Sequence, residues 1–148
     1  MKFTVFVRSV FVFVLLSIPF PVFSGEIAII VNAENPVSNL KREDIKQYYL
    51  KETLSWPSGA KVRSVDRKGS PPERKAFLKE IVQMSPEHLK KYWVSKRYGK
   101  GVPVPPKLGN DMQIIEYVQS FEGAISYINA DKVSGTSGIK VVGTVPMP

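Results

Sequence analysis

Ile27-Ala28-Ile29-Ile30-Val31 (IAIIV) is a continuous apolar run in which four of the five side chains are β-branched. Such a run predicts a strand that is buried on both faces, as in a sheet covered by helices. Three further strands are expected downstream from their β-branched and apolar residues, over Lys61–Asp66, Gly123–Ile128 and Gly138–Val142. The Pro-ended tail after the last strand is expected to be loose.

Four helices are expected between these strands. Their starts are marked by polar capping residues followed by apolar residues at helical spacing, at Ser38, Ser70, Ser85, and Asn110 or Asp111. At the second start, Ser70 precedes Pro71 and Glu73, which predicts a capping box with proline at the first helical position. The mixture of strands and helices along the chain predicts an α/β fold, a three-layer sandwich.

The N-terminus has the pattern of a secretory signal peptide. Lys2 and Arg8 are followed by the apolar run Ser9–Ile18, two prolines and the small residue Ser24. An uncleaved membrane anchor is the alternative, but the run is only about half of the roughly 20 residues that a spanning helix needs. We expect cleavage after Ser24, an extracytoplasmic location, periplasmic or secreted, and no stable membrane insertion afterwards.

The remaining residues, 25–148, have the length of one domain. Cysteine is absent, so disulfides, thiol catalysis, thiolate metal sites and lipid attachment at an N-terminal cysteine are excluded. The whole chain carries a formal net charge of +8, and loss of Lys2 and Arg8 with the signal peptide would leave +6. This charge favours anionic ligands, anionic surfaces or acidic partner proteins. No nucleic-acid recognition motif is present, and we expect no nucleic-acid partner.

Groups for catalysis or metal binding are scarce. His88 is the single histidine and falls in a first helical turn, which argues against a His-based triad and against a multi-histidine metal site. Glu43 and Asp44 are adjacent, so on a helix they point about 100° apart and cannot act as a catalytic pair. We therefore expect a protein that is not an enzyme and that holds neither a metal nor a cofactor.

The segment Asp66-Arg67-Lys68-Gly69-Ser70 is the strongest candidate for a binding site. It joins a predicted strand to a predicted helix, and N–H groups at a helix start attract anions. Glu73 can instead occupy this positive end, and Pro71 and Pro72 remove two N–H donors. A second basic and aromatic segment, Tyr92–Gly101, predicts either an interaction surface or a packed helix with a solvated end.

Several segments together resemble one known family. The resemblance covers most of residues 25–142 and is carried by Asn35-Pro36-Val37-Ser38-Asn39-Leu40, Glu43, Ile45, Trp56-Pro57-Ser58-Gly59, Asp66–Ser70, Arg74, Phe77, Tyr92-Trp93 and Glu122-Gly123-Ala124-Ile125-Ser126-Tyr127. In this order and spacing they resemble the substrate-binding proteins of phosphate ABC transporters, in the periplasmic phosphate-binding (PBP-like) superfamily. The resemblance implies a type II periplasmic-binding-protein fold and a non-enzymatic protein that binds an oxyanion.

The chain departs from that family in two respects. It has about half the expected length, which implies either one lobe of the usual two or a compact short version of the whole. In the segment that corresponds to the family's anion-binding turn, which begins at Asp66, this chain has Asp66 where the family has arginine. It also has Pro71-Pro72 where the family has Gly-Thr. An aspartate can accept the proton of a partly protonated oxyanion, but it repels a fully charged one. The candidate oxyanion contacts are Arg67, Ser70 and Arg74, with Ser38 and Asn39 at the preceding helix start.

Two functions remain open from the sequence. The first is a solute-binding-like protein for phosphate or another small oxyanion, linked to ABC-type phosphate transport and delivering its ligand to a membrane transporter. The second is a ligand-free module that kept the PBP-like fold and binds another envelope protein. The half-length chain and the two prolines, Pro71 and Pro72, favour the second, and the resemblance favours the first.

Overall fold

A four-stranded mixed sheet organises residues 25–148, the part of the chain that the computed structural model describes. The strands β1 (Glu26–Asn32), β2 (Arg63–Ser64), β5 (Ala124–Asn129) and β6 (Ile139–Pro146) have the order β2-β5-β1-β6. β1 is antiparallel to both β5 and β6, and β2 is parallel to β5. The predicted signal peptide lies outside the described residues.

Helices cover both faces of this sheet. Ile27, Ile29 and Val31 pack into a core with α1 (Arg42–Tyr49), α2 (Pro72–Phe77), a π-helical turn (Leu78–Val82) and α3 (Pro86–Lys100). The alternate residues Ala28 and Ile30 pack on the other face against α4 (Asp111–Ser120). No residue from Ile27 to Val31 is more than 1% exposed. The prediction of a strand buried on both faces, and of a three-layer α/β sandwich, is therefore confirmed.

Two of the expected helix starts are confirmed. Ser85 caps α3 by accepting a hydrogen bond from His88 N at 3.2 Å, and Asn110 caps α4 by accepting one from Gln113 N at 2.9 Å. Each bond satisfies one of the backbone N–H groups that a helix start leaves without an intrahelical partner.

The other two helix starts were predicted too early. α1 begins at Arg42 rather than near Ser38, because Leu40 N is bound to Val142 O at 2.9 Å and ties this segment to β6. α2 begins at Pro72 with Pro71 in the capping position, so the expected Ser70 capping box is wrong. Pro71 is in an extended conformation (φ −66°, ψ 163°), so the helix begins one residue later than expected, and a proline side chain has no atom that can accept a capping hydrogen bond.

The predicted strand Lys61–Asp66 is divided between two sheets. After β2, buried Val65 donates its N–H to Ile125 O at 3.1 Å, and the chain then enters β3 (Asp66–Arg67). β3 pairs in parallel with β4 (Lys107–Leu108), a strand that the sequence did not indicate. The C-terminal tail is also more ordered than expected, because β6 extends to Pro146 and Met147 N donates to Gly25 O at 2.7 Å.

Two motifs of the family resemblance hold each other in place. Trp56 is 2% exposed, stacks on Tyr48 at a ring-centroid distance of 3.9 Å and donates Nε1–H to Gly123 O at 3.0 Å. A Cβ at Gly123 would lie 1.8 Å from the carbonyl oxygen of Lys61, so only glycine permits this close approach of the backbones. These motif residues therefore have a structural role.

No helix in residues 25–148 is long and apolar enough to cross a membrane.

Candidate functional site

A buried ion pair joins β3 to α2. Asp66 is 3% exposed and Arg74 is 7% exposed. Arg74 Nε lies 3.1 Å from Asp66 Oδ1 and 3.2 Å from Oδ2, and Arg74 Nη2 lies 3.0 Å from Oδ2. This two-pronged geometry is that of a strong, charge-assisted pair, and it explains how both charges are accommodated away from water.

Two further donors complete the environment of the Asp66 carboxylate. Tyr127 OH donates to Oδ1 at 3.0 Å, and the backbone N–H of Arg67 donates to the same oxygen at 2.8 Å. Burial, followed by the negative charge of Asp66, raises the pKa of Tyr127 far above its usual value, so its hydroxyl remains a donor. Burial alone would lower the pKa of Arg74, but the hydrogen bond and charge of Asp66 outweigh it and raise that pKa. Arg74 therefore keeps its positive charge, and both oxygens of the Asp66 carboxylate accept hydrogen bonds.

Arg67 is neutralised by a different carboxylate. Its Nη2 forms an ion pair with Asp111 in the first turn of α4 and donates to Tyr127 O at 3.3 Å. The side chain is 6% exposed, and its Nε has no hydrogen-bond partner within residues 25–148. The two arginines predicted from the sequence therefore have different carboxylate partners, Asp111 on α4 for Arg67 and Asp66 on β3 for Arg74.

A cleft of about 460 Å³ opens between α3 and the segment that leads into β4. Asp66 and Arg74 line it, together with three more cations, Lys90, Arg97 and Lys107. None of these three takes part in an ion pair within the described residues. The cleft therefore has four basic side chains and one acidic side chain, which gives it a positive charge.

The other predicted contacts are dispersed. Ser70 is exposed and lines a smaller adjoining cleft of about 260 Å³, which shares Arg74 with the first and also contains Lys75 and Lys79. Ser38 and Asn39 are exposed, lie before α1 and line neither cleft. The structure thus brings Ser70 and Arg74 to one cleft, but it does not bring Arg67, Ser38 or Asn39 there.

Lys90 and Lys107 were missed from the sequence, whereas Arg97 lies in the basic and aromatic segment Tyr92–Gly101, for which an interaction surface was one of two predictions. Lys90 and Arg97 are seven residues apart on α3, with Val94 between them, a spacing that places all three on one helical face. That spacing was a usable signal. No sequence signal indicated Lys107, because only the parallel pairing of β3 with β4 places it opposite Asp66.

No group of three or more histidine, aspartate or glutamate side chains in residues 25–148 could hold a metal ion.

The fold is similar to that of solved phosphate-transport receptors. An ABC-type phosphate transport receptor from Vibrio cholerae matches 84% of this chain and 57% of its own length, with 17% identity and a TM-score of 0.59. PstS from Borrelia burgdorferi matches 81% of this chain and 48% of its own, with 14% identity and a TM-score of 0.60. At these identities the likeness is one of fold.

A third structure has higher sequence identity. It is a putative phosphate ABC transporter substrate-binding protein with bound phosphate from Clostridium perfringens, with 27% identity and a TM-score of 0.58 over 80% of this chain and 44% of its own. The chain thus spans about half the length of these proteins, as expected for one lobe. No family model matches the chain, and no curated protein matches its sequence.

Proposed function

We propose that this protein is an exported, non-enzymatic binder of phosphate or another small oxyanion, linked to ABC-type phosphate transport. The observation that carries the proposal is the excess of cations in the 460 Å³ cleft, in a fold similar to that of a receptor with bound phosphate. Lys90, Arg97 and Lys107 have no carboxylate partner within residues 25–148, so they are available to an anion.

Arg74 supplies the innermost donors of the proposed site. Its bonds to Asp66 use Nε and Nη2, and Nη1 makes no hydrogen bond within the described residues. A guanidinium has five N–H donors, so Arg74 can hold Asp66 and still donate into the cleft. Ser70 in the adjoining cleft adds a hydroxyl donor near the same arginine. Arg67, Ser38 and Asn39 would reach the ligand only after a rearrangement.

A thermal melt of the protein expressed from its full sequence tests this function. Phosphate, sulfate and chloride are compared at matched ionic strength. At a phosphate concentration 100-fold above the dissociation constant, the expected stabilisation is about 2.7 kcal/mol, or several degrees. Arg97→Gln and Lys107→Gln should each reduce the shift, whereas Lys132→Gln, an exposed cation outside the cleft, should not. If neither phosphate nor sulfate raises the melting temperature above the chloride control, oxyanion binding is wrong.

Export is part of the same proposal and has its own measurement. The mass of the protein recovered outside the cytoplasm should correspond to a chain that begins at Gly25. Retention of residues 1–24 in the recovered protein would contradict cleavage after Ser24.

A ligand-free envelope interaction module is the second candidate. The specific observation in its favour is that Arg67 and Arg74 already hold Asp111 and Asp66, while Pro71 and Pro72 lack N–H groups. This protein would bind another envelope protein or a membrane transporter through its surface. A melt that no oxyanion changes, together with correct export, favours it over oxyanion binding.

A further inference from the structure

The cleft is much larger than an inorganic oxyanion requires. Its volume of about 460 Å³ lies in the range of roughly 300–1,000 Å³ that is typical of sites for organic ligands. Phosphate or sulfate, with one central atom and four oxygens, would contact the cations and leave most of the volume unfilled.

Apolar side chains make up most of the remaining wall. Leu89, Trp93 and Val94 line the cleft from α3, and Val104 and Pro105 line it from the segment before β4. Leu89 and Trp93 are buried beneath this surface, at 2% and 6% exposure. A ligand that consisted only of charged oxygens would gain nothing from this wall, because removing apolar surface from water requires an apolar partner.

Exposed hydrophobic residues are concentrated here. Among residues 25–148, five large hydrophobic side chains are exposed, and three of them line this one cleft: Val94 at 49%, Tyr98 at 81% and Val104 at 37%. The other two, Leu54 and Met112, do not line it. Contiguous exposed apolar surface bordered by polar groups is typical of a binding site.

The charged part of the cleft is separate from this apolar wall. Asp66 and Arg74 compensate each other, so the unbalanced charge comes from Lys90, Arg97 and Lys107. The cleft therefore combines an apolar surface with three cations that have no carboxylate partner in the described chain. A ligand complementary to both parts has an apolar body and an anionic head.

We infer that the cleft binds a small organic anion, with an aromatic or aliphatic body against Trp93, Leu89 and Val104 and with a phosphate or carboxylate head at Lys90, Arg97 and Lys107. The inference rests on the proposed function for the anionic head and adds the apolar body to it. Inorganic phosphate is then the weaker ligand of the same cleft.

Nuclear magnetic resonance of the two tryptophan indole N–H groups tests this. Trp93 lines the cleft, and Trp56, buried under the Tyr48 ring, is an internal control. Phenyl phosphate, benzoate, inorganic phosphate and benzyl alcohol are titrated separately. Phenyl phosphate should shift the Trp93 signal, leave that of Trp56 unchanged and bind at least about tenfold more tightly than inorganic phosphate, a difference of about 1.4 kcal/mol. Benzoate reports whether a carboxylate head serves as well.

Two variants separate the ends of the site. Val104→Ser should weaken phenyl phosphate and leave inorganic phosphate unchanged, with Met112→Ser as the matched control for loss of an exposed hydrophobic side chain. Arg97→Gln should weaken the binding of both anions up to about fivefold, as expected for one exposed charge, with Lys132→Gln as its control.

The outcomes distinguish this inference from the proposed function. Equal affinities for phenyl phosphate and inorganic phosphate would overturn the inference and leave oxyanion binding standing. Benzyl alcohol binding as tightly as phenyl phosphate would also overturn it, because the cations would then have no part. Absence of binding by all four compounds would overturn both.

Discussion

The two neighbouring residues of β3, Asp66 and Arg67, have their side chains in different surroundings, one at the cleft and one against α4. Asp66 lines the cleft, and its carboxylate accepts hydrogen bonds from Arg74, Tyr127 and the backbone of Arg67. Arg67 contacts α4 instead, and its Nε has no partner within residues 25–148. Arg67 and Arg74 thus already have carboxylate partners, Asp111 and Asp66, so the proposed oxyanion binding relies on the other cations that line the cleft.

The largest expected effect follows from removing the Asp66 charge. Asp66→Asn leaves Arg74 as a buried cation without a counterion, and breaking a buried pair in this way costs about 3–5 kcal/mol of unfolding free energy. Urea unfolding measures the loss. Phosphate or sulfate should restore part of it, because an anion in the cleft can replace the missing charge.

An exposed ion pair is the control for Asp66→Asn. Arg42 Nη1 lies 3.0 Å from Glu80 Oε2, and the two side chains are 55% and 27% exposed. Glu80→Gln should therefore change the unfolding free energy by about 1 kcal/mol or less. If Asp66→Asn were equally mild, the Asp66–Arg74 pair would not be the main electrostatic contact of the site.

A smaller effect is expected on the other side of β3. The Asp111 side chain is 18% exposed in its pair with Arg67, so water can partly replace the Asp111 carboxylate as a hydrogen-bond partner of Arg67. Asp111→Asn should cost about 1–3 kcal/mol, less than Asp66→Asn. A larger cost for Asp111→Asn in the same urea experiment would reverse the order of the two sites.

Tyr127 makes a pH-dependent contribution. Its pKa is raised in the folded protein from the ordinary value of 10.0, so above that pH the unfolded chain loses a proton that the folded chain keeps. The contribution of Tyr127 to the free energy of unfolding is therefore fully present below pH 10.0 and falls as the pH rises above that value. Tyr49, whose pKa burial also raises, contributes in the same direction.

Tyr127→Phe separates these contributions. It should cost about 1 kcal/mol near neutral pH through the lost hydrogen bond to Asp66, and it should make the alkaline decline less steep. Unfolding measured at a series of pH values checks both effects. An unchanged slope would mean that Tyr127 does not remain protonated as described.

The smallest effect on stability is expected at Ser70. Ser70 is exposed and does not cap α2, so Ser70→Ala should change the unfolding free energy by less than about 0.5 kcal/mol. Ser85→Ala, which removes an actual cap, should cost about 1 kcal/mol. If Ser70 contacts the oxyanion, Ser70→Ala should reduce the phosphate-induced shift in melting temperature. The unfolding free energy without ligand should stay nearly unchanged, so the two measurements report on ligand binding and on stability separately.

Local sequence patterns predicted the parts of the fold that depend on local interactions. The β1 run predicted a strand buried on both faces, and Ser85 and Asn110 predicted two helix starts, because capping involves residues only three apart. The start of α1 could not be predicted this way, since the bond from Leu40 to Val142 competes with it and joins distant parts of the chain.

The candidate site was predicted only in part for the same reason. The turn from Asp66 to Ser70 and Arg74 were predicted as candidate contacts, and the structure places Asp66 and Arg74 at one cleft and Ser70 at the adjoining one. The two-residue strands β3 and β4 are too short to show a periodicity, so Lys107 could not be placed beside Asp66. The chain contains 21 lysine and arginine residues, and no local pattern indicates which of them Asp66 binds.

The sequence by itself determined the layered α/β fold, the basic charge and the scarcity of catalytic and metal-binding groups. These follow from composition and from apolar spacing, which each segment carries on its own. Only the tertiary structure decided which cations are neutralised and which are available, because an ion pair requires two groups within about 4 Å and their proximity is set by strand register and helix packing. For this protein, the proposed anion site keeps Arg74 from the predicted residues and adds Lys90, Arg97 and Lys107, which have no carboxylate partner within residues 25–148.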